Sequence, residues 1–205
     1  MTMKKILVSL FVLALVLSCK ERPEAPQWQN PALDNIFTRV SVRDYTSQKV
    51  EADKVDLMLR AGMAAPTARN TQPWHFIVVD DRAVLDAFAA VNFNKPKIDK
   101  CALAIIPCGD LSKAMDGNAQ EFWVQDVSAA TENILLAAHA LGLGAVWTWL
   151  YPIRESVENA SRVFGLPEHI VPLCAILIGY PAEQPAVKEK WNPLNVSYNQ
   201  FGQGR

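Results

Sequence analysis

The chain has 205 residues, with 20 Lys and Arg against 21 Asp and Glu, for a net charge of −1. Hydrophobic residues make up 50% and charged residues 20%, which allows a sizeable core and excludes a disordered, collagenous or coiled-coil chain. The length suits one domain, and a pI near 6.3 carries no footprint of nucleic-acid binding.

The first residues have a different character. Lys4 and Lys5 precede Ile6–Leu17, in which only Ser9 is not apolar. That run is too short for a membrane-spanning helix, which needs about 20 residues. A basic start, a short apolar run and a small residue before a break describe a secretory signal. The break, Val16-Leu17-Ser18-Cys19, resembles a bacterial lipobox. The expected organisation is a signal peptide over 1–18, a lipid-anchored tether over 19–33 with Cys19 lipidated, and a folded domain over 34–205. It implies a bacterial cell-envelope protein, held to the membrane on the secreted or periplasmic side. Lys20–Pro31, with three prolines, has the composition of such a tether.

In the body, Val55, Met58, Leu59, Gly62 and Met63 fall at helical spacing and predict a helix over Glu51–Ala64, stopped by Pro66. Phe76–Val79 reads as a short strand, Ala83–Val91 as a helix and Leu103–Cys108 as an apolar strand. The longest predicted helix is Ala119–Leu141, with Val127, Thr131, Ile134, Ala138 and Leu141 on one stripe. From Ala129 to Leu143 the sequence is apolar almost all round, so this helix is expected to be buried on more than one side. Gly142 is a candidate C-cap. Ala145–Trp149 reads as a strand, Ile153–Phe164 as a helix ending at Gly165, and Pro172–Gly179 as a strand. The sum is an α+β or α/β body with about four strands.

Common catalytic constellations are missing from the sequence. There is no Gly-x-Ser-x-Gly, no His-Glu-x-x-His and no Walker loop. Gly142-Leu143-Gly144 begins a dinucleotide fingerprint, but Trp147 stands at the third glycine position. Cys101, Cys108 and Cys174 fit no zinc spacing, and each sits in an apolar run as a small hydrophobe does. His75, His139 and His169 show no metal-binding grouping, and His139 reads as a core residue.

Two segments carry more information. In Arg39-Val40-Ser41-Val42-Arg43, alternate residues of an extended chain face the same way. Two guanidinium forks and a hydroxyl would then meet a phosphate monoester. The same spacing equally describes a solvated edge with Val40 and Val42 inward. The second segment, Ala65-Pro66-Thr67-Ala68-Arg69-Asn70-Thr71-Gln72-Pro73-Trp74, is a helix-to-strand loop rich in hydrogen-bonding side chains. Its Asn and Gln amides suit the edge of a heterocycle.

Taken together, these segments resemble the nitroreductase family of FMN flavoproteins. Gly142-Leu143-Gly144-Ala145-Val146-Trp147-Thr148 is similar to a third family segment, and Ile178-Gly179-Tyr180-Pro181 with Lys188-Glu189-Lys190-Trp191 to a fourth. The resemblance preserves motif order from about Asp34 to Asn199. It implies a nitroreductase-like α/β sandwich of the α+β class, with a central, mostly antiparallel sheet flanked by helices. It also implies an entwined homodimer with FMN at the interface. By resemblance, Arg39, Ser41 and Arg43 approach the FMN phosphate, ribityl chain and N1/O2 side, with Arg43 stabilising the anionic reduced flavin. Pro66, Thr67 and Asn70, with Gln72 in the same loop, come from the partner subunit. Trp147, Thr148 and Trp149 lie along the ring near N5, and Lys188 and Lys190 reach the phosphate. No acid–base catalytic side chain is required.

The implied activity is an oxidoreductase passing hydride from NAD(P)H through flavin N5 to a small electron-poor acceptor, nitroaromatic or quinone-like. The alternatives are a flavin-binding or electron-relay protein of the cell envelope without NAD(P)H turnover, and an envelope interaction module that uses the fold as a scaffold. Three positions depart from the family pattern: Thr67 replaces a serine, Ser197 a histidine and Trp149 a glycine. A ring at 149 is expected to narrow the substrate side.

Overall fold

The computed structural model describes residues 30–204. The expected signal peptide, Cys19 and all of the tether up to residue 29 lie outside the described residues. The chain divides into two units, residues 1–34 and 35–205. A short helix, α1 (Pro31–Thr38), begins in the first and ends in the second.

The second unit is built on a five-stranded sheet of β1 (Trp74–Val79), β2 (Leu103–Asp110), β3 (Gly144–Trp149), β4 (Ile170–Pro172) and β5 (Cys174–Gly179). The strand order is β1-β2-β5-β3, β4 also pairs with β2, and all these pairings are antiparallel. Helix α2 (Ala52–Met63) and the long helix α5 (Phe122–Ala140) pack on one face. Helices α3 (Arg82–Ala90), α4 (Lys95–Ile98) and α6 (Arg154–Phe164) pack on the other. A sheet covered on both sides explains why β2 and β5 are buried at every position instead of alternating. Leu103, Ile105, Cys174, Ile176 and Ile178 face α5, whereas Ala104, Ile106, Cys108, Ala175 and Leu177 face α3 and α6.

Helix α5 spans about 28 Å at 1.5 Å per residue and buries Val127, Ala130, Thr131, Ile134, Leu135 and Ala138. These residues form one stripe, while Ala129, Leu136 and Ala137 on the rest of the helix are half-buried, so within one chain the burial is on one side rather than on the several sides expected. The helix starts later than the sequence suggests, because Gly117–Ala119 forms a separate 3₁₀ turn. It stops at Leu141, and Gly142 takes φ +74°, a backbone that only glycine adopts without strain.

The predicted strand Pro172–Gly179 is two strands. Leu173 interrupts it, its carbonyl accepting from both Leu150 N–H at 3.2 Å and Tyr151 N–H at 3.0 Å. A carbonyl turned toward the loop after β3 cannot stay in the ladder. Helix α4 has no sequence signal beyond Pro96 in its first turn. Cys101, Cys108 and Cys174 are all buried, as expected. His139 is half-buried, with Nε2 2.9 Å from Thr38 Oγ1.

Candidate functional site

After α1 the chain runs extended along the free edge of β3. Ser41 forms a parallel bridge with Ala145, and Val42 N–H donates to Ala145 O at 3.0 Å. A pair of glycines makes room for it. Gly144 and Gly179 lie opposite each other on β3 and β5. A Cβ on Gly144 would sit 2.6 Å from Val42 Cβ, and one on Gly179 would sit 2.9 Å from Tyr45 Cβ. Val42 and Tyr45 drop into the flat spot. The Tyr45 hydroxyl donates to Val42 O at 2.7 Å and reaches Leu177 O at 2.9 Å. Burial pushes its pKa far up, so it stays a neutral donor.

Val42 is therefore buried and Val40 packs on the same core. Alternation leaves Arg39, Ser41 and Arg43 on the other side. Arg43 donates to Ser41 O at 3.4 Å. Arg39 Nε donates to Glu132 Oε1 on α5 at 3.1 Å. That bond uses one of the five guanidinium N–H donors, so the outer fork can still take a phosphate.

The loop Ala65–Trp74 is the second component. Ala68–Asn70 forms a 3₁₀ turn, and Arg69, Asn70 and Gln72 have φ of +51°, +57° and +49°. Left-handed backbone costs a non-glycine residue about 1–2 kcal/mol. It persists where the surroundings over-determine it, commonly at ligand clamps. Here bonds to side chains add to the turn's own backbone bonds, Asn70 N–H to Thr67 O and Thr71 N–H to Ala68 O. Gln72 N–H donates to Thr67 Oγ1 at 3.1 Å, Gln72 Nε2 to Asn70 Oδ1 at 3.1 Å, and Ala68 N–H to Asp126 Oδ1 at 2.9 Å. These bonds engage the acceptor atoms of Thr67 and Asn70. What remains outward is the Thr67 O–H proton and the Asn70 amide N–H pair, a donor set suited to an acceptor-rich ring edge. Pro66 is exposed at the head of this loop.

Strand β3 carries the third component. The Thr148 hydroxyl is buried and donates to Ala175 O at 2.8 Å. Trp147 packs on the α5 side of the core. Trp149 is not in the core: it is 49% exposed and stacks on Phe93, itself 55% exposed, with ring centroids 4.1 Å apart. Beyond it, Tyr151 meets Trp123 edge-on at 5.0 Å. Lys188 and Lys190 are exposed in the C-terminal segment, which has no strand or α-helix.

One chain does not bring all these residues together. Arg39–Arg43 lies outside β3, at the Gly144 end, whereas the Thr67–Gln72 loop enters β1 at Trp74, on the opposite edge and at the opposite end. Four strand spacings of about 4.8 Å put some 19 Å between the two edges. Sequence reasoning missed Asp126, Glu132, Tyr45 and Phe93. Asp126 and Glu132 had a signal: acidic residues in a helix otherwise read as core need a reason to be there.

Other chemistry finds little support. Among the described residues no cluster of His, Cys, Asp and Glu could hold a metal. Burial pushes Cys101 up to about 11 and Cys108 up to about 12, which removes the thiolate needed for nucleophilic attack.

Residues 36–123 and 89–180 match the model of the nitroreductase family. The chain belongs to the nitroreductase family. A Methanothermobacter thermautotrophicus protein, provisionally designated an NADH dehydrogenase/NAD(P)H nitroreductase, is 44% identical over 80% of this chain and 84% of its own length. A Bacteroides thetaiotaomicron structure with the same provisional designation superposes with a TM-score of 0.80 at 46% identity, covering 85% of this chain and all of that one. A Desulfovibrio desulfuricans structure, provisionally designated a nitroreductase and solved with FMN, gives 0.72 at 30% identity, over 85% and 99% of the two chains. The nitroreductase match ends at Tyr180, so Lys188 and Lys190 lie beyond it.

Proposed function

We propose that this chain is an FMN-dependent oxidoreductase that takes reducing equivalents from NAD(P)H and passes them to a small electron-poor acceptor. The carrying observation is the donor arrangement. A rigid edge presents Arg39, Ser41 and Arg43, and a strained loop presents the donors of Thr67 and Asn70. These groups fit a phosphate ester joined to an acceptor-rich heterocycle. FMN supplies the two-electron chemistry that no side chain here provides. The protein's part is to bind the phosphate through Arg39 and Arg43 and to offset negative charge on the ring through Arg43. The rest of its part is to orient the ring edge through Thr67, Asn70 and Gln72. Lys188 and Lys190 add positive charge for the phosphate, and Trp147–Trp149 forms the wall along the ring.

A second copy of the chain completes this site. Members of the family are typically dimers. Two features support it here: the site segments sit on opposite sheet edges, and large apolar side chains are uncovered. Ile36, Phe37, Leu57 and Met63 are about half exposed, and Trp191 is 71% exposed. A second copy would cover such side chains. The test is one purification. The reading expects a yellow protein that sediments as a dimer at micromolar concentration, keeps its flavin absorbance through gel filtration and loses it on NAD(P)H addition. A colourless protein that takes up no added FMN overturns the proposal. Retained FMN without NAD(P)H consumption leaves an electron relay.

Trp149 supports a restriction on acceptor size. It stands on the wall in a half-exposed stack with Phe93, so its ring bounds open space. Trp149→Gly is expected to raise the ratio of kcat/KM for bulky over small quinones by about tenfold, the scale of pocket-shape effects. An equal fall for both acceptors returns Trp149 to a packing role.

The sequence Val16-Leu17-Ser18-Cys19 supports membrane anchoring in the bacterial envelope. Stable anchoring takes more than one acyl chain. Cys19→Ser is expected to move the protein from the membrane to the soluble fraction on cell fractionation. An intact residue 1–18 segment on a soluble cytoplasmic protein rules the anchor out.

A further inference from the structure

We propose that Asp126 is a positioning residue for the FMN site, acting through the backbone of the Thr67–Gln72 loop. The inference rests on the FMN reading above. Asp126 is buried on α5, and its Oδ1 accepts the Ala68 N–H at 2.9 Å. Buried carboxylates are rare unless they are paired or hydrogen-bonded, and here the bond ties to a helix a turn whose other bonds are its own, Asn70 N–H to Thr67 O and Thr71 N–H to Ala68 O, both at 3.1 Å, and those from Gln72. Ala68 opens the turn in which the next two residues, Arg69 and Asn70, take left-handed backbone. With its first N–H fixed to a long helix, the turn cannot unwind to a relaxed conformation without breaking a bond to an anion, one of the stronger polar contacts.

The consequence falls on ligand donors on either side of the fixed residue. Thr67 precedes the fixed residue, and Asn70 ends the turn it opens. Their outward donors depend on the bonds from Gln72 to Thr67 Oγ1 and Asn70 Oδ1, which require the turn to stay closed. Asp126 therefore sets the direction of donors it does not touch. Helix α5 serves the other segment as well, since Glu132 holds Arg39 at 3.1 Å. Six residues along a helix is about 9 Å of rise and a rotation of about 240°. One rigid element thus registers two site segments on different faces.

The test compares, in the full chain, Asp126→Ala and Asp126→Asn by two readouts, and Ala68→Pro and its double with Asp126→Ala by the second alone, since proline has no amide to exchange. The first is amide exchange of Ala68 in FMN-free protein, and the second is the FMN dissociation constant from flavin fluorescence quenching. Asp126→Ala should speed Ala68 exchange and weaken FMN binding, each by about tenfold or more, the scale of one lost bond to a charged group. Asp126→Asn should restore both, since its Oδ1 still accepts. Ala68→Pro removes the donor instead, at a position whose predecessor, Thr67, already has ψ 157° as a residue before proline prefers. It should weaken FMN binding as Asp126→Ala does, and the double variant should be no worse than either. Should Asp126→Ala fail to fold, Asp126→Asn and Ala68→Pro decide the matter. A lower melting temperature with unchanged FMN affinity in the folded variants overturns the proposal and leaves Asp126 merely structural. Wild-type protein that binds no FMN sinks the FMN reading instead, which the Ala68 exchange readout does not share.

Discussion

Replacing Arg39 and Arg43 together by alanine is expected to strip the protein of FMN while leaving it folded. Both residues lie on the side of the extended segment away from Val42 and outside the hydrophobic core; Arg43 is exposed, and the Arg39 side chain is 19% exposed. Among the described residues the Arg39 side chain bonds to Glu132, whose side chain is 46% exposed. Solvated partners of this kind contribute little to stability. A bond to a charged group contributes roughly 1.5–3 kcal/mol, so two losses weaken FMN binding by about two to four decades. The measurement is an FMN titration, with circular dichroism to show that the fold persists. Arg39→Lys with Arg43→Lys should recover only part of the affinity, because an ammonium has charge but no fork. Unchanged affinity in the alanine double variant would falsify the phosphate assignment.

The second large effect is expected at Gly144. Its neighbour Gly142 shares the motif but has a different task. Gly142 has open space where a Cβ would go and needs its positive φ. Gly142→Ala should therefore cost about 1–2 kcal/mol of stability and leave FMN affinity alone. At Gly144 an added Cβ would lie 2.6 Å from Val42 Cβ, at the stem of that side chain and not its flexible end. Either Val42 or β3 must shift. Overpacking of this kind costs about 1–3 kcal/mol, a fall of roughly 2–12 °C in Tm for a domain of this size. Because Val42 sits between Ser41 and Arg43, Gly144→Ala should also lower FMN affinity. Thermal melts and FMN titrations of the two variants separate these effects. Equal FMN affinity in both would show that the segment tolerates displacement.

Residue order alone determined the elements whose signals are local. Helix α2 was legible because Val55, Met58 and Leu59 recur at helical spacing and Pro66 ends it. The core-facing stripe of α5 was legible because Val127, Thr131, Ile134 and Ala138 recur at helical spacing. The Arg39–Arg43 alternation and the donor-rich loop were legible for the same reason: residue types at fixed spacing have a fixed geometry in an extended chain or a tight turn. Local pattern could not show where the ladder breaks, so Leu173 was read through, its carbonyl being claimed by Leu150 and Tyr151 from another strand's end. Nor could it distinguish Gly142 from Gly144. One answers to its own φ, which is a local property, and the other to Val42, about a hundred residues away in the chain. The roles of Asp126 toward Ala68 and of Glu132 toward Arg39 belong to the same class, since each bond joins segments far apart in sequence. Only folding brings such partners within 3 Å or so, and that is why the tertiary structure decided how the site is held.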